Sequence, residues 1–361
     1  MELETPWRRD LDEVGPAVEK WARATLSPDA RVSGASAPGN GMSSETVLFE
    51  MTLGGEHEHE RYAARLAPMP DVYPVFPEYD IELQAKCMNL VRAHTDVPVP
   101  DVRWVELDAR WLGTPFLVMR RIDGEAPPDI PPYVFGGWVA DAPAETRAAM
   151  QTRTLEVLKK LHELTPANVD LAFLTRPQHG STALRQQVGH ERWYYDWARE
   201  GLSYPLIDAT FAWLDAHWPD EGETVLNWGD ARVGNILYRD FIPIAVLDWE
   251  MATVGPREVD LAWMIFLHEF FHDMAVRFGL PGMTDFMGRD SVIAEYERLS
   301  GHEVRNLEWF EVFAALRFAI VSIRTGKRGI AYGTMEAPGD PDDLIMFRNL
   351  LEAMLAGTYW S

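Results

Sequence analysis

Residues 225–250 read VLNWGDARVGNILYRDFIPIAVLDWE, and no other stretch of the 361-residue chain limits its fold as strongly. Asp230 is followed five positions on by Asn235, then by two short apolar runs, Ile236 to Tyr238 and Ile244 to Leu247, the second ending at Asp248. Between them lies Arg239-Asp240-Phe241, so the pattern predicts two short strands joined by a turn. Such a hairpin brings Asn235 and Asp248 to one end. Asp-x-x-x-x-Asn, strand, turn, strand, Asp is the order of parts in a phosphoryl-transfer loop.

The chemistry explains why these residue types belong together. Moving a γ-phosphoryl group needs little covalent help, so a protein supplies positioning and charge neutralisation. Asp230 is the candidate catalytic group, aligning an acceptor hydroxyl and taking its proton. Asn235 and Asp248 are the candidate metal ligands, because Mg²⁺ prefers oxygen donors and keeps several waters. Asp and Asn are also ordinary turn residues, and Asp248 could simply cap a helix. The three elements in this order, flanked by strand-like runs, favour the chemical reading over the ordinary one.

Trp228 to Tyr238 (WGDARVGNILY), with Leu247-Asp248-Trp249-Glu250 and Val259-Asp260-Leu261-Ala262, resembles the aminoglycoside phosphotransferase family. Within it, the chain is most similar to the kinase-like domains related to those fused to some acyl-CoA dehydrogenases. Family members read H-G-D-x-x-x-x-N, then D-W-E or D-W-x, then D-L-A. Here Trp228 stands in place of the His that normally supports the loop from behind. The resemblance spans residues 30–325 and implies a two-lobed, protein-kinase-like α+β fold. A small β-rich N-lobe would occupy residues 1–122, and a larger helical C-lobe, residues 123–361, would carry the catalytic β-hairpin and the substrate pocket. The reaction it implies is Mg²⁺-dependent transfer from ATP or GTP to a hydroxyl of a small molecule. Asp260 would brace the catalytic loop, although its position also suits a helix N-cap.

The same resemblance assigns nucleotide contacts in the N-lobe. Residues 33–46 (SGASAPGNGMSSET) are small and polar and precede a strand-like run, Val47 to Thr52. Small residues let backbone N–H groups approach phosphate oxygens, and Ser43 and Ser44 are the candidates there. Arg65, in the alternating run Arg61 to Leu66, stands where most kinases carry a phosphate-binding Lys, and a guanidinium forks well onto phosphate. Arg61 is the other cation of that strand. Glu82, in a helical pattern from Glu78 to Arg92, is the candidate ion-pair partner of Arg65, with Glu78 as competitor. Strands are expected at Val102 to Glu106 and Pro115 to Met119. Met119 and Arg121 then fall in the segment resembling the hinge that holds the adenine through its backbone.

The rest of the chain reads as helices around this motif. A lead-in helix is expected over residues 11–26, a Pro-rich loop over 126–143, and helices over 146–164, 185–200, 205–218, 259–278, 291–300, 307–324 and 341–355. Aromatics such as Tyr194, Tyr195, Trp197, Trp213 and Trp218 suit a core, or an apolar substrate beside the site. Arg232 could face phosphate, substrate or solvent. Arg324, Lys327 and Arg328 could bind an acidic group or balance nearby carboxylates.

A net charge of −23 without a basic stripe argues against a nucleic-acid partner. No apolar run approaches a membrane span, since the longest, Phe313 to Ile323, is interrupted by Arg317. A charged N-terminus with no secretory signal and a lone Cys87 fit a reducing cytoplasm. Two alternatives remain open. A kinase-like protein could bind nucleotide without catalysis, and His268-Glu269-Phe270-Phe271-His272 matches the H-E-x-x-H of zinc peptidases, though no third ligand follows. Oligomeric state leaves no mark in the sequence.

Overall fold

The structure is a computed structural model describing residues 8–38, 44–54 and 59–360. The chain divides into two compact units, Met1–Ala93 with Val99–Asp123, and His94–Pro98 with Gly124–Ser361. The architecture is mixed α+β.

The first unit opens with α1 (Leu11–Thr25), whose Val14, Val18, Trp21 and Ala22 share one buried face. Asp10 starts it, its side chain accepting from the Asp12 N–H, which serves one of the amides a helix start leaves unpaired. Then follow β1 (Arg31–Ser36), β2 (Glu45–Thr52), β3 (Glu60–Leu66), α2 (Ile81–His94), β4 (Val102–Glu106) and β5 (Phe116–Arg120). The strands form an antiparallel sheet in the order β1-β2-β3-β5-β4. Alternation puts Val47, Phe49 and Met51 of β2 on the buried face, where they meet α1 together with Tyr62, Phe116 and Val118. Trp21 is the centre of this core, edge-on to Phe116 at 5.2 Å and donating its indole N–H to Glu106 at 3.1 Å. Helix α2 begins three residues later than the apolar pattern suggests, because the Asp80 carboxylate caps the Leu83 N–H at 2.8 Å.

The second unit contains α3 (Ala144–Leu161), α4 (Ala183–Ala198), α5 (Pro205–Ala216), β6 (Val225–Asn227), β7 (Ile236–Arg239), β8 (Ile242–Val246), β9 (Thr253–Gly255), α6 (Glu258–Arg277), α7 (Arg289–Ser300), α8 (Leu307–Ala331) and α9 (Arg348–Leu355). Strands β7 and β8 form the expected hairpin, closed by Asp240 and Phe241, both at positive φ. Helices α6 and α8 are buried along most of their length and pack on one another. Helix α8 runs seven residues past the expected end at Arg324. Gly326 allows this, since a Cβ there would meet Leu344 Cδ2 at 2.8 Å, so the glycine marks helix packing and not a helix end. The last expected helix is instead broken, a 3₁₀ turn at Pro341–Leu344 preceding α9. Phe347 lies at the break, fully buried and stacked on Phe318 at 5.3 Å. No helix among the described residues is long and apolar enough to cross a membrane.

Candidate active site

Pairing of β6 with β9, Asn227 opposite Thr253, sets the segment after β6 beside the segment after β8. The backbones pass so closely that a Cβ on Gly229, which sits at φ +90°, would fall 2.0 Å from the Met251 carbonyl oxygen. Only glycine fits this crossing. Asp260, in the first turn of α6, binds the loop from below, its carboxylate accepting from the N–H groups of Trp228 (2.7 Å) and Gly229 (2.9 Å). His162 reaches the same carboxylate through Nε2 at 3.2 Å, and its Nδ1 lies 2.7 Å from the Tyr296 hydroxyl. Asp260 is thus a brace; the N-cap of α6 is Arg257.

Trp228 is completely buried, and its indole N–H donates to the carbonyls of Leu247 (2.8 Å) and Asp248 (3.2 Å). A residue that departs from the family pattern therefore ties the Asp230 loop to the Asp248 loop. Sequence reasoning gave it no such role, because an indole donor is recognised only once its acceptors are in place.

Asp230 is partly buried and surrounded by donors. Oδ2 accepts from Asn235 Nδ2 at 2.6 Å, Oδ1 from Trp263 Nε1 at 2.7 Å, and Arg232 Nε straddles both oxygens at 3.2 and 3.3 Å. The Asn235 amide nitrogen also reaches the Asp230 carbonyl at 3.1 Å, which leaves its Oδ1 as the atom suited to a hard cation. Asn235 and Asp248 are joined through the backbone, the Leu247 N–H donating to the Asn235 carbonyl at 2.8 Å. Asp248 adopts φ +59°, a left-handed conformation uncommon for a residue with a side chain. Arg232 spans two carboxylates, its Nη1 forking onto Asp129 at 2.6 and 2.7 Å. Burial opposes its charge, but Asp230 and Asp129 outweigh burial and hold the guanidinium firmly protonated.

Asp129, Tyr133, Arg232, Val233, Met264 and His268 are among the residues lining a small cleft in this unit, its closed part no larger than about one water. Tyr133 and His268 meet there at 2.6 Å, and His268 Nε2 lies 2.8 Å from the Met283 carbonyl. Burial raises the Tyr133 hydroxyl well above its ordinary range and lowers His268 to about 4, so the imidazole is neutral. Nε2 is then the donor to Met283 and Nδ1 the acceptor from Tyr133, which uses both ring nitrogens. His272 accepts the Met283 N–H through Nδ1 at 3.0 Å. The H-E-x-x-H segment is a hydrogen-bonded helix face, not a pair of free ligands. Two members of the late basic cluster have structural partners: Lys327 Nζ caps the end of α4 through the Ala198 (3.0 Å) and Arg199 (2.7 Å) carbonyls, and Arg324 pairs with Glu200 at 2.6 Å.

Of the candidates in the first unit, Ser43 lies outside the described residues, and Ser44 is buried just before β2. Arg65 sits half-buried on β3 opposite Thr46 and Leu117, in the middle of the sheet. Glu82 does not make the expected pairing with Arg65. Ile81, Gln84, Ala85 and Met88 turn inward on α2, which leaves Glu82 on the exposed face, ion-paired with Lys86 at 3.4 Å. Met119 is half-buried on β5 opposite Ala63, and Arg121 donates its N–H to the Arg61 carbonyl at 2.9 Å and its Nε to Asp123 at 2.9 Å.

Known proteins bear on this geometry in two ways. IBR3 of Arabidopsis thaliana, assigned as an acyl-CoA dehydrogenase, is 25% identical over 317 residues, 80% of this chain and 35% of its own length. Human acyl-CoA dehydrogenase family member 11 is 32% identical over 206 residues, 56% of this chain and 25% of its own length. The chain therefore spans only about a third or less of these curated relatives. Among solved structures, a protein from Ralstonia eutropha assigned as an aminoglycoside phosphotransferase superposes with a TM-score of 0.66 at 21% identity, covering 96% of this chain and 98% of that one. Aminoglycoside phosphotransferase APH(4)-Ia, in a complex with ADP and hygromycin B, gives 0.54 at 17%, covering 94% and 98%. At such identities the structures show a shared fold. The family is set by the sequence itself, which matches the profile of the phosphotransferase enzyme family over residues 36–286, and this chain is a member of that family.

Proposed function

We propose that this chain is a Mg²⁺-dependent kinase of a small-molecule alcohol, taking the γ-phosphoryl group from ATP or GTP. The observation that carries the reading is the hydrogen-bonded set of Asp230, Asn235 and the Leu247-Asp248 backbone, three separate loop positions tied into one unit. Asp230 orients the acceptor hydroxyl and takes its proton; the acceptor oxygen forms a bond to γ-phosphorus as the bond to the bridging oxygen breaks. Help of this kind contributes about 10²- to 10⁴-fold. Arg232 Nε makes the longest contacts to Asp230, 3.2 and 3.3 Å, and is the group that yields to an incoming hydroxyl.

Asn235 and Asp248 form an oxygen donor set that fits Mg²⁺. The Asn235 amide nitrogen is committed to Asp230 and its Oδ1 is not. When bound, the metal neutralises the charge on the donor phosphates. Two protein ligands suffice, since Mg²⁺ completes its shell with water and phosphate oxygens. Arg65, with Ser43 and Ser44, takes the donor phosphates, and the backbone at Met119 to Arg121 takes the adenine. Glu82 contributes only its surface ion pair.

The acceptor is a small hydroxylated molecule. That APH(4)-Ia binds ADP and hygromycin B supports a nucleotide-plus-alcohol reaction without naming this chain's acceptor. Thermal stability measured against ATP, GTP and Mg²⁺ tests the proposal, with zinc and a chelator as controls. Stabilisation that requires nucleotide and Mg²⁺ together supports it, and γ-phosphoryl transfer to a panel of alcohols then identifies the acceptor. Zinc-dependent stability with no nucleotide response refutes it, and binding with no transfer or hydrolysis favours a non-catalytic nucleotide-binding protein. The reading also places the protein in a reducing cytoplasm, in keeping with its single, buried Cys87.

A further inference from the structure

Trp263 lies on α6, thirty-three residues beyond Asp230 and outside every motif of the site. Its side chain is 2% exposed, and its only polar atom is spent on Asp230 Oδ1 at 2.7 Å. We infer that Trp263 is a positioning residue that fixes the plane of the Asp230 carboxylate, an inference that rests on Asp230 being the group that receives the acceptor's proton. The geometry gives the reason. The terminal torsion of Asp is broad and roughly two-fold, so a carboxylate held at one oxygen still swings. Here Asn235 holds Oδ2 at 2.6 Å and Trp263 holds Oδ1, and the two donors together leave one orientation.

The support for the indole is itself built in. The Arg317 guanidinium lies 4.5 Å over the Trp263 ring and donates Nη2 to the Gly229 carbonyl at 3.0 Å. Glu191, buried on α4, stands 3.6 Å from Arg317 and balances its charge. A cation over the ring draws on its π electrons, which strengthens the indole N–H as a donor. Arg317 therefore anchors the backbone just before Asp230 and the side chain that aims it. Unlike Arg232, which bridges the two oxygens at longer range and is shared with Asp129, Trp263 has no competing acceptor.

Trp263→Phe keeps the ring and removes the donor. With Mg²⁺ and ATP, and water as acceptor, phosphate release by this variant is expected to fall about 10- to 100-fold in kcat, the order of a hydrogen bond to a charged group, with KM for ATP unchanged. An unchanged kcat, or a loss confined to KM, overturns the inference while leaving the kinase reading intact. A second measurement needs no turnover. The Trp263 indole N–H resonance, one of fourteen and identified by its absence from Trp263→Phe, is expected to move when Asp230→Asn removes the charge it donates to. A resonance that stays in place refutes the contact. Should Trp263→Phe not fold, selective labelling of Trp263 in the folded Asp230→Asn protein decides the question. A moving resonance in a protein that neither binds nor hydrolyses nucleotide upholds the contact and sinks the kinase reading.

Discussion

Replacing Trp228 with Phe probes whether an indole can do the work the family gives to His. The change keeps an aromatic ring in a site that is completely buried and removes one N–H, together with part of the ring volume. Two partly buried carbonyls, of Leu247 at 2.8 Å and Asp248 at 3.2 Å, lose their shared donor. Removing a donor from such acceptors costs about 1–3 kcal/mol. The smaller ring leaves a partly collapsed cavity, adding roughly 1 kcal/mol. A unit of this size shifts by about 2–4 °C per kcal/mol, so the C-terminal unit is expected to melt some 5–15 °C lower.

The location of the loss makes the prediction specific. The carbonyls that lose this donor belong to the Asp248 segment, so Mg²⁺-nucleotide stabilisation should weaken by more than the drop in melting temperature alone accounts for. Differential scanning calorimetry with and without Mg²⁺-ATP measures both effects. An unchanged melting temperature refutes the hydrogen-bond argument. Lower stability with full Mg²⁺-ATP response refutes the claim that Trp228 connects the two loops. Trp228→His, the family residue, is the informative companion, and its recovery of the Mg²⁺-ATP response would show that the donor matters more than the ring.

Three further predictions concern the site and its surroundings. Asp230→Ala should abolish turnover while nucleotide binding persists, and an active variant removes Asp230 from the chemistry. Asp248→Asn should weaken Mg²⁺-dependent nucleotide binding with little change in binding without the metal; titration calorimetry at two Mg²⁺ concentrations separates the two, and equal affinities exclude Asp248 as a ligand. Burial raises Glu311 from 4.5 to about 7, against the opposing pull of Arg289 and the Trp360 N–H. A carboxyl raised on folding favours the native state below its unfolded pKa, and that contribution is lost as pH rises through the folded value. Wild-type stability should therefore decline relative to Glu311→Gln between pH 4.5 and about 7 and level off above it, and parallel denaturation curves across that range refute the shift.

How much of this was legible in the sequence follows from how far apart the cooperating residues lie. Asp230, Asn235 and Asp248 flank a single hairpin, so alternation and turn residues suffice to bring Asn235 and Asp248 to one end of it. Strands β2 to β5 were legible for the same reason, since Phe49 and Met51 repeat at period two, whereas β1 runs into residues 33–36 of the stretch read as a loop. The Arg65–Glu82 pairing failed because it depended on the rotation of α2. Ile81, Gln84 and Ala85 take the buried face, and Glu82 is left outside. Helical spacing says that a helix has an apolar stripe but fixes an individual carboxylate only when its distance from that stripe is counted.

The groups that hold the hairpin in place come from elsewhere in the chain. Trp263 and Asp260 arrive on α6, Arg317 on α8, His162 at the end of α3 and Asp129 on a Pro-rich loop. The D-L-A motif marks Asp260 as a brace, but no spacing rule connects the others. A weaker signal did exist, for Arg317 interrupts an otherwise apolar run, and a charge inside a buried helix is retained only if something pays for its desolvation. In the sequence it served only to argue against a membrane span. In the fold its partners are the Gly229 carbonyl, the Trp263 ring and Glu191, all within one residue's reach of the Asp230 loop or of its supports. Asp260 and His162 follow the same logic, each fully or nearly fully buried and each directed at the catalytic loop or its brace. Buried polar residues on the apolar helices of this chain therefore report where the loop must be held, and apart from Asp260 they do so at positions that a search for catalytic spacing passes over.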